Sequence, residues 1–549
     1  QGFTTNFFLP LFNTRSDNYG GSFVNRARFS REVLEMVREE IGNDCAIALR
    51  FGLDTLPPPH GLAEGGVRAE EEGLRFVDFC DDLVDLWDIQ LSWAGAWSED
   101  AAPSRTHKEN HSREYLRRVK DFTRKPVVNV GRFTSPDTMA DVINSGQCDI
   151  IGAARPSIAD PFLPKKIEEG RVEDIRECIG CNACISRWAI GGPAIVCTQN
   201  ATVGEEFRRG WHPEIFSAAA NRDSKVLIVG AGPAGLESAV VLAKREFSEI
   251  HIVEADTDVG GHLRWVSQLP GLQEWHRVVD YRQVQLEKLS NAVLITGKRL
   301  TEEDILNYGA EIVLIATGAR WVNDGLNGWT QRPIPGLSTD TRTLTPEEVM
   351  SGADPGEKVL IYDTDGYFVG PSIAEYLARA GASVTFVTPF GDIGPQLDLT
   401  LEGPRMRQTL SDLRVRAFTQ HVLTGVSADT GHLLPLSPFA NESPDVDFDS
   451  IVFATQRLSN DSVYRSLKHD TVRLREHGVS DLHLIGDAYA PQHLVDTIFH
   501  AHRLSREIDS KDPSRPRPFI RERRLINGSD MDYKLDSSVL VPEEERLGQ

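Results

Sequence analysis

The chain has 549 residues, of which 40% are hydrophobic and 26% are charged, and this predicts a globular protein of about three or four domains. Its formal net charge of −22 repels the phosphates of nucleic acids and anionic lipids, so we expect neither as a partner. No apolar run approaches the roughly 20 residues that a membrane-spanning helix needs. The acidity suits a cationic substrate or a basic docking partner, and it serves solubility equally well.

The first 177 residues alternate apolar, strand-like runs with helical stretches. A helix is predicted over residues 25–42, and the four apolar runs are Ala46–Gly52, Leu86–Ser92, Pro126–Gly131 and Cys148–Ala154. This βα repeat predicts parallel strands covered by helices. Four such units are half of a (βα)8 TIM barrel, which usually needs about 250 residues. Since half a barrel exposes open edges, we expect about four more strands upstream of Gln1.

Polar residues follow these runs, where the active sites of TIM barrels lie. Arg50 is predicted to end the first strand, and the pairs Gly131-Arg132 and Ala154-Arg155 to end the third and fourth. The last two strand ends of such barrels commonly bind phosphate, which arginine fits. The alternative is that these arginines lie in surface loops without a ligand.

Four of the seven cysteines lie within twenty positions of one another. Cys178, Cys181 and Cys184 have C-x2-C-x2-C spacing, and twelve residues separate Cys184 from Cys197. A zinc ribbon would have two separated C-x2-C pairs, whereas the triple is typical of a [4Fe–4S] cluster. Such a site predicts a reducing, cytoplasmic location and a donor, such as a flavin, that can split an electron pair. The other three cysteines are expected to be buried as small hydrophobic residues: Cys45, Cys80 and Cys148.

A dinucleotide-binding fingerprint follows the cysteines. The stretch KVLIVGAGPAG runs from a strand into Gly230, Gly232 and Gly235, and Glu254 comes nineteen residues later. The glycines let the backbone approach a pyrophosphate at a helix N-terminus, and Glu254 would accept hydrogen bonds from ribose hydroxyls. Further motifs look like those of flavoproteins with two dinucleotide domains: Gly260-Gly261, Ala316-Thr317-Gly318 and Gly486-Asp487.

A second βαβ unit lacks this fingerprint. After the strand Lys358–Tyr362, the three glycine positions are taken by Asp363, Asp365 and Phe368. Two carboxylates would face a pyrophosphate, and a phenyl ring would block close packing of the helix. We therefore expect this unit to have lost NAD(P)H binding and to serve a structural role.

The predicted fold class is α/β: the C-terminal half of a TIM barrel, a 4Fe–4S segment and two Rossmann-like domains. The predicted domains are residues 1–177 for the partial barrel, 178–223 for the cysteine segment and connector, 224–355 with 456–510 for an ADP/FAD-type domain, 356–455 for an inserted NAD-type domain, and 511–549 for a tail.

Several stretches carry a resemblance across essentially the whole chain. NTRSDNYGGSFVNRARF, CAIALRFG, GAARPSIADPF and CIGCNACISRW resemble old yellow enzyme-like proteins with a [4Fe–4S] cluster. CISRWAIGGPAIVCTQNATVGEEFRRGWHP resembles trimethylamine and dimethylamine dehydrogenases in particular. The resemblance implies FMN in the barrel, with Arg50 beside flavin N1 and Arg132 and Arg155 near its phosphate. It also implies ADP, or an unused FAD-type site, at the first fingerprint, a homodimer, and electron transfer to an electron-transferring flavoprotein.

The resemblance also implies a substrate site. Trp97 and Trp188 match the family's aromatic bowl over the flavin, and Asp100 matches its active-site aspartate. Aromatic faces bind a methylated ammonium by cation–π attraction of about 1–2 kcal/mol each. Without the resemblance, both tryptophans would be taken as core packing. Family members carry His-Gly-Tyr near the position where this chain has Gln1-Gly2-Phe3, so that histidine lacks a clear counterpart.

The predicted function is oxidative N-demethylation of trimethylamine or dimethylamine. A methyl C–H would deliver a hydride equivalent to the flavin, which would pass electrons singly to the cluster and onward to the electron-transferring flavoprotein. The first alternative is an NAD(P)H-dependent 2,4-dienoyl-CoA or enoate reductase of the same architecture. The second is an inactive fragment.

Overall fold

The computed structural model describes residues 3–56, 66–93, 102–189, 194–439, 443–519, 522–524 and 533–535. The chain divides into two compact units, Gln1–Val172 (unit 1) and Glu173–Gln549 (unit 2). Every helix in these ranges is too short or too polar to cross a membrane.

Unit 1 is built on a parallel sheet with strands in chain order, and helices lie between them. Its described strands are β1 (Ala48–Leu56), β2 (Leu86–Trp93), β3 (Val127–Val130) and β4 (Ile150–Gly152). Its described helices are α1 (Phe3–Phe8), α2 (Phe23–Ile41), α3 (Leu74–Cys80), α4 (Arg113–Leu116), α5 (Pro136–Asn144), α6 (Ala154–Ala159) and α7 (Leu163–Glu168).

The first strand is longer than its apolar run predicts. Its register against β2 shifts between Gly52 and Asp54, and beyond this bulge it continues to Leu56. Arg50 therefore lies near the start of β1 and not at its end, which corrects the sequence prediction. Cys80 and Cys148 are buried as predicted, but Cys45 is exposed because it lies in the turn between α2 and β1.

Unit 2 contains the remaining elements. Its described strands are β5 (Lys225–Val229), β6 (Glu249–Val253), β7 (Ala292–Ile295), β8 (Ile312–Ile315), β9 (Ala319–Trp321), β10 (Thr343–Leu344), β11 (Lys358–Asp363), β12 (Ser383–Val387), β13 (Arg416–Phe418), β14 (His421–Ser427), β15 (Thr430–Pro435), β16 (Asp445–Asp447), β17 (Ser450–Ala454), β18 (Arg457–Ser459), β19 (Asp481–Leu484), β20 (Glu522–Arg524) and β21 (Tyr533–Leu535).

The helices of unit 2 connect and cover these strands. Those described are α8 (Ala183–Ala189), α9 (Glu206–Arg209), α10 (Pro233–Lys244), α11 (Leu263–Val266), α12 (Arg277–Glu287), α13 (Glu302–Leu306), α14 (Pro346–Met350), α15 (Val369–Arg379), α16 (Gly403–Asp412), α17 (Ser462–Leu467), α18 (Thr471–Glu476) and α19 (Leu494–Arg506).

Two parallel sheets organise unit 2. One has the order β19-β8-β5-β6-β7, and the other has the order β10-β17-β11-β12-β13. The chain leaves the first sheet after β8, forms the second, and returns through β19. Smaller antiparallel sheets pair β9 with β18 and join β14, β15 and β16, and β20 pairs with β21.

The sequence explains why α10 sits in the interior of unit 2. Its run PAGLESAVVLAK is apolar on nearly every face, and almost all of its residues are buried. A helix that is hydrophobic all round needs partners on all sides. It packs against the β5 sheet, α12 and α19, and this fixes its N-terminus at the carboxyl end of β5.

Candidate functional site

Arg50 is held in unit 1 by side chains of the neighbouring strand. It stands opposite Asp88 in the β1–β2 register, and its Nε and Nη2 donate to Gln90 Oε1 at 3.0 and 2.5 Å. Asp88 Oδ2 lies 3.7 Å from Arg50 Nε. The side chain remains 59% exposed, so its charge is open to a ligand. Sequence reasoning missed Gln90, because pairing with a residue forty positions away leaves no local signal.

Arg132 and Arg155 turn inward at the carboxyl ends of β3 and β4. They are 2% and 9% exposed, and they donate to the backbone carbonyls of His107 and Pro103, respectively. Arg132 has a positive φ of 53°, in the left-handed region that a residue other than glycine rarely adopts. Two guanidinium groups buried against one short loop supply the charge that a phosphate would neutralise.

The residues preceding these arginines have different surroundings. Gly131 accepts a hydrogen bond from the backbone N–H of Asn110 at 2.9 Å, and a Cβ there would lie 3.0 Å from the Asn110 Cα. Ala154 is the first residue of α6 and is exposed. Gly131 thus allows close backbone approach, whereas Ala154 makes no comparable contact.

Part of the predicted substrate site lies outside the described residues. Trp97 and Asp100 fall in such a segment. Trp188 lies on α8, one turn after Cys184, but its side chain is also outside the described part. Their predicted roles stay predictions.

The glycine fingerprint of unit 2 has the geometry of a nucleotide cradle. Gly230 has φ 108°, and a Cβ at Gly235 would overlap the carbonyl oxygen of Gly230. Gly232 caps α10, and a Cβ there would meet nothing within 4 Å. Helix N-termini with open N–H groups bind phosphates, so the space beside Gly232 fits a pyrophosphate.

A cavity of about 1100 Å³ opens beside this cradle within unit 2. Glu254 lies on its wall, with Oε2 accepting from Ala231 N at 2.7 Å and Oε1 from Asp256 N at 3.0 Å. Each carboxylate oxygen keeps a second lone pair, so Glu254 can also accept from ribose hydroxyls. The other predicted nucleotide-binding positions also line this cavity: Gly261, Thr317, Gly318 and Asp487.

Asp487 already has partners on that wall. It forms an ion pair of 2.7 Å with Arg457, and it accepts from Gln492 N at 3.2 Å and Thr497 Oγ1 at 3.0 Å. Arg457 therefore brings a cation into the cavity. Sequence reasoning missed Arg457, whose position depends on the return of the chain from the second sheet.

The loop of the second fingerprint is filled by one of its own side chains, that of Asp363. Asp363 is buried, and its Oδ1 accepts from Asp365 N at 3.1 Å and Gly366 N at 3.2 Å. Burial, reinforced by the charge of Asp365, raises the pKa of Asp363 well above its ordinary value. The carboxyl group therefore occupies the backbone donors that a phosphate would need.

The four clustered cysteines lie in unit 2 and form no disulfide. Burial raises the pKa of Cys181 to about 11, and burial together with the charges of the other three cysteines raises that of Cys197. The four sulfurs thus share one electrostatic environment. Among the described side chains, no three Cys, His, Asp or Glu converge closely enough for a single metal ion. The residue type and the C-x2-C-x2-C spacing with a fourth cysteine nearby in the chain fit the four thiolate ligands of a [4Fe–4S] cluster.

Comparisons with known proteins place these features in one family. Residues 2–174 match the NADH:flavin oxidoreductase / NADH oxidase family, residues 228–282 a NAD(P)-binding Rossmann-like domain, and residues 344–434 an OYE-like second alpha/beta domain. Dimethylamine dehydrogenase of Hyphomicrobium sp. (strain x) is 43% identical over 538 residues, which cover 94% of this chain and 72% of that protein. The chain belongs to the trimethylamine/dimethylamine dehydrogenase family.

Other members of this group agree with the assignment. A probable N-methylproline demethylase of Rhizobium meliloti (strain 1021) is 30% identical, covering 91% of this chain and 74% of that protein. The structure of histamine dehydrogenase from Rhizobium sp. 4-9 superposes with a TM-score of 0.89 at 38% identity, covering 96% of this chain and 75% of that one. The family resemblance predicted from the sequence is confirmed. The protein is an old yellow enzyme-like FMN flavoprotein of the amine dehydrogenase type, an oxidoreductase acting on CH–NH donors.

Proposed function

We propose that the protein catalyses oxidative N-demethylation of trimethylamine or dimethylamine. The observation that carries this proposal is the 43% identity to dimethylamine dehydrogenase over 94% of the chain. In the reaction a methyl C–H bond would break and its hydride equivalent would leave the amine for a two-electron acceptor, which is the chemistry that bound FMN supplies. Water then adds to the resulting iminium ion, which yields formaldehyde and the smaller amine.

Three arginines of unit 1 would hold FMN. Arg132 and Arg155 are buried against the loop of His107 and Pro103, where their charges would neutralise the flavin phosphate. Arg50 is oriented by Gln90 and would stabilise negative charge on the flavin ring. Because Gln90 fixes the guanidinium before the reaction, little reorganisation is needed when that charge develops.

The cysteines of unit 2 would hold a [4Fe–4S] cluster through Cys178, Cys181, Cys184 and Cys197. Bound FMN would supply two-electron oxidation of the amine, and the cluster would carry single electrons toward an electron-transferring flavoprotein. The fingerprint cavity would hold ADP or FAD, with the pyrophosphate at Gly232 and the ribose at Glu254. A homodimer is the proposed assembly.

Two tryptophans would select a methylated cation. A tertiary or secondary methylammonium offers few hydrogen-bond donors, so its recognition depends on the aromatic faces of Trp97 and Trp188. Asp100 would orient the reacting groups beside them. The formal net charge of −22 would favour the approach of such a cation at low ionic strength.

Steady-state turnover of the purified holoprotein tests the proposal. Trimethylamine and dimethylamine are assayed separately with a dye acceptor, and formaldehyde is measured as product. Trp97→Leu and Trp188→Leu should raise KM for the amine, whereas Trp329→Leu, at a side chain that is 50% exposed in unit 2, should not. Turnover with neither amine, or equal effects of all three variants, would contradict the proposed substrate class.

An NAD(P)H-dependent enoate or 2,4-dienoyl-CoA reductase is the alternative, favoured by the match to the NADH:flavin oxidoreductase family. The loop at Asp363 argues against a reductase, because the backbone N–H groups that would bind the pyrophosphate of NAD(P)H already donate to the Asp363 carboxyl group. Anaerobic mixing with NADH or NADPH separates the two functions. Rapid bleaching of the flavin absorbance would favour the reductase, and bleaching by amine alone would favour the dehydrogenase.

A further inference from the structure

The sulfur of Cys181 has hydrogen-bond partners from both a side chain and the backbone. Thr198 Oγ1 lies 3.3 Å from Cys181 Sγ, and the backbone N–H of Ala183 also donates to this sulfur. Thr198 is 2% exposed, and among the described residues its hydroxyl has Cys181 as its hydrogen-bond partner. A buried hydroxyl is thus directed at one of the four sulfurs.

The direction of this hydrogen bond follows from the chemistry of a cluster ligand. A cysteine that ligates iron does so as a thiolate and has no proton to give. Thr198 must then be the donor and the Cys181 sulfur the acceptor. Hydrogen bonds to an ionised acceptor are stronger than those between neutral groups, and this one would be shielded from bulk water.

The same contact lies on the wall of the nucleotide cavity. Cys181 and Thr198 line that cavity together with Gly232 and Glu254 of the fingerprint. Since Thr198 is itself almost fully buried on this wall, the dielectric around its contact with Cys181 is lower than in bulk water. A single oriented donor has a larger electrostatic effect in such a place than at an exposed sulfur.

We propose that Thr198 is a positioning residue that raises the reduction potential of the cluster through its hydrogen bond to Cys181. This inference rests on the proposed function, since it requires the [4Fe–4S] cluster. Each added electron increases the negative charge on the ligating sulfurs, and a donor stabilises that reduced form more than the oxidised form. Thr198 thereby makes the cluster a better acceptor of electrons from the flavin.

Redox titration of the cluster in the holoprotein tests this role. Thr198→Val and Thr198→Ala remove the hydroxyl, and Thr198→Ser keeps it. Thr202→Val is the matched control, because Thr202 is equally buried in the same segment but its hydroxyl donates to Asn200 Oδ1 at 2.7 Å. The midpoint potential is followed by the EPR signal of the reduced cluster, with iron content measured on the same samples.

The expected result is a shift to a more negative potential in Thr198→Val and Thr198→Ala at full iron content. Thr198→Ser and Thr202→Val should titrate like the wild type. Pulsed EPR in D2O should also show one exchangeable proton fewer near the cluster in Thr198→Val.

Three results would overturn the role. The first is an unchanged midpoint potential in iron-loaded Thr198→Val and Thr198→Ala. The second is a shift of the same size in Thr202→Val. The third is loss of iron from both Thr198→Val and Thr198→Ala, with iron retained in Thr198→Ser. The last would make the hydroxyl an element of cluster assembly. Zinc in the wild-type protein would instead remove the proposed function itself, so the two failures are distinguishable.

Discussion

Arg282 donates from Nε to Glu237 Oε2 at 2.7 Å in the interior of unit 2, where the two side chains are 0% and 10% exposed. Its Nη1 also donates to Gln199 Oε1 at 3.1 Å. Gln199 follows Cys197 by two residues, so this ion pair joins α12, α10 and the cysteine segment. Breaking a buried pair leaves an uncompensated charge, whereas breaking an exposed pair costs little.

Arg282→Met is expected to destabilise the protein by about 3–5 kcal/mol, because it leaves the Glu237 carboxylate buried without its main counter-charge. The free energy of unfolding is measured with denaturant. Arg465→Met is the control, since its pair with Asp461 is at the surface and should contribute under about 1 kcal/mol. Equal losses in both variants would contradict the buried pair's role.

Acid should destabilise unit 2 through His502. Its Nδ1 lies 2.7 Å from Glu237 Oε1 and its Nε2 accepts from Arg506 Nε at 3.1 Å, so the bonds require a neutral ring. Burial is the main cause that lowers the pKa of His502 to about 4; the charges of Arg506 and Arg176 also lower it, while the hydrogen bond and charge of Glu237 raise it. The unfolded chain, with a histidine pKa near ~6.5, then binds the proton more readily than the folded chain.

Stability should therefore fall as the pH drops from about 6.5 to about 4. The carboxylate of Glu237 extends the effect to lower pH: burial would raise its pKa, but Arg282 and His502 lower it to about 2. His502→Gln should flatten the upper part of this pH dependence, and the exposed His469→Gln should leave it unchanged. Denaturation midpoints between pH 4 and 7 test this, and parallel curves for wild type and His502→Gln would argue against it.

Local patterns allowed much of unit 2 to be predicted, because its signals are contiguous. The strand β5 and the helix α10 form where the sequence predicts them, and the three glycines lie at their junction in one uninterrupted stretch. The end of β1 was not predictable in this way, since the bulge between Gly52 and Asp54 interrupts the strand pattern.

Most of the functional residues that the sequence did not predict are positioned by contacts between distant segments of the chain. Gln90 meets Arg50 across forty residues, and Arg282 meets Gln199 across eighty-three. Neither Gln90 nor Arg282 belongs to a motif, so only the folded chain reveals them. Thr198 follows the predicted cluster ligand Cys197 in the chain. Its hydroxyl nevertheless contacts Cys181, seventeen residues earlier, and this contact depends on how the chain between them folds.

Gly232 and Gly235 should respond differently to alanine. A Cβ at Gly235 would overlap the Gly230 carbonyl, so Gly235→Ala should lower the unfolding midpoint and release the nucleotide. At Gly232 the φ of −72° suits alanine and the surrounding space is open, so Gly232→Ala should fold normally. Its methyl would enter the space of the pyrophosphate, and nucleotide content after purification should fall. Full nucleotide content in Gly232→Ala would contradict the assigned phosphate position.

Asp363 should keep its proton to a higher pH in the folded protein than in the unfolded chain. Because burial raises its pKa, the folded chain keeps a proton that the unfolded chain loses above about pH 4, and stability is lost as the pH rises. Asp363→Asn removes this penalty and should be more stable than wild type at pH 7, with the difference vanishing near pH 4. Asp363→Ala, which loses the bonds from Asp365 N and Gly366 N, should be about 1–3 kcal/mol less stable than Asp363→Asn. An Asn variant that is less stable than wild type at pH 7 would mean that the carboxyl is ionised.

Cysteine substitutions should separate ligands from packing residues. Cys181→Ser replaces a ligating sulfur with a hydroxyl that binds iron weakly, so the purified variant should lose most of its iron and the EPR signal of the reduced cluster. Cys148→Ser is the control, because Cys148 is 3% exposed in unit 1 and belongs to its hydrophobic core. That variant should keep its iron and lose only about 1–3 kcal/mol of stability from the buried hydroxyl. Iron retained in Cys181→Ser, or lost equally in Cys148→Ser, would show that the cluster of cysteines does not hold the metal.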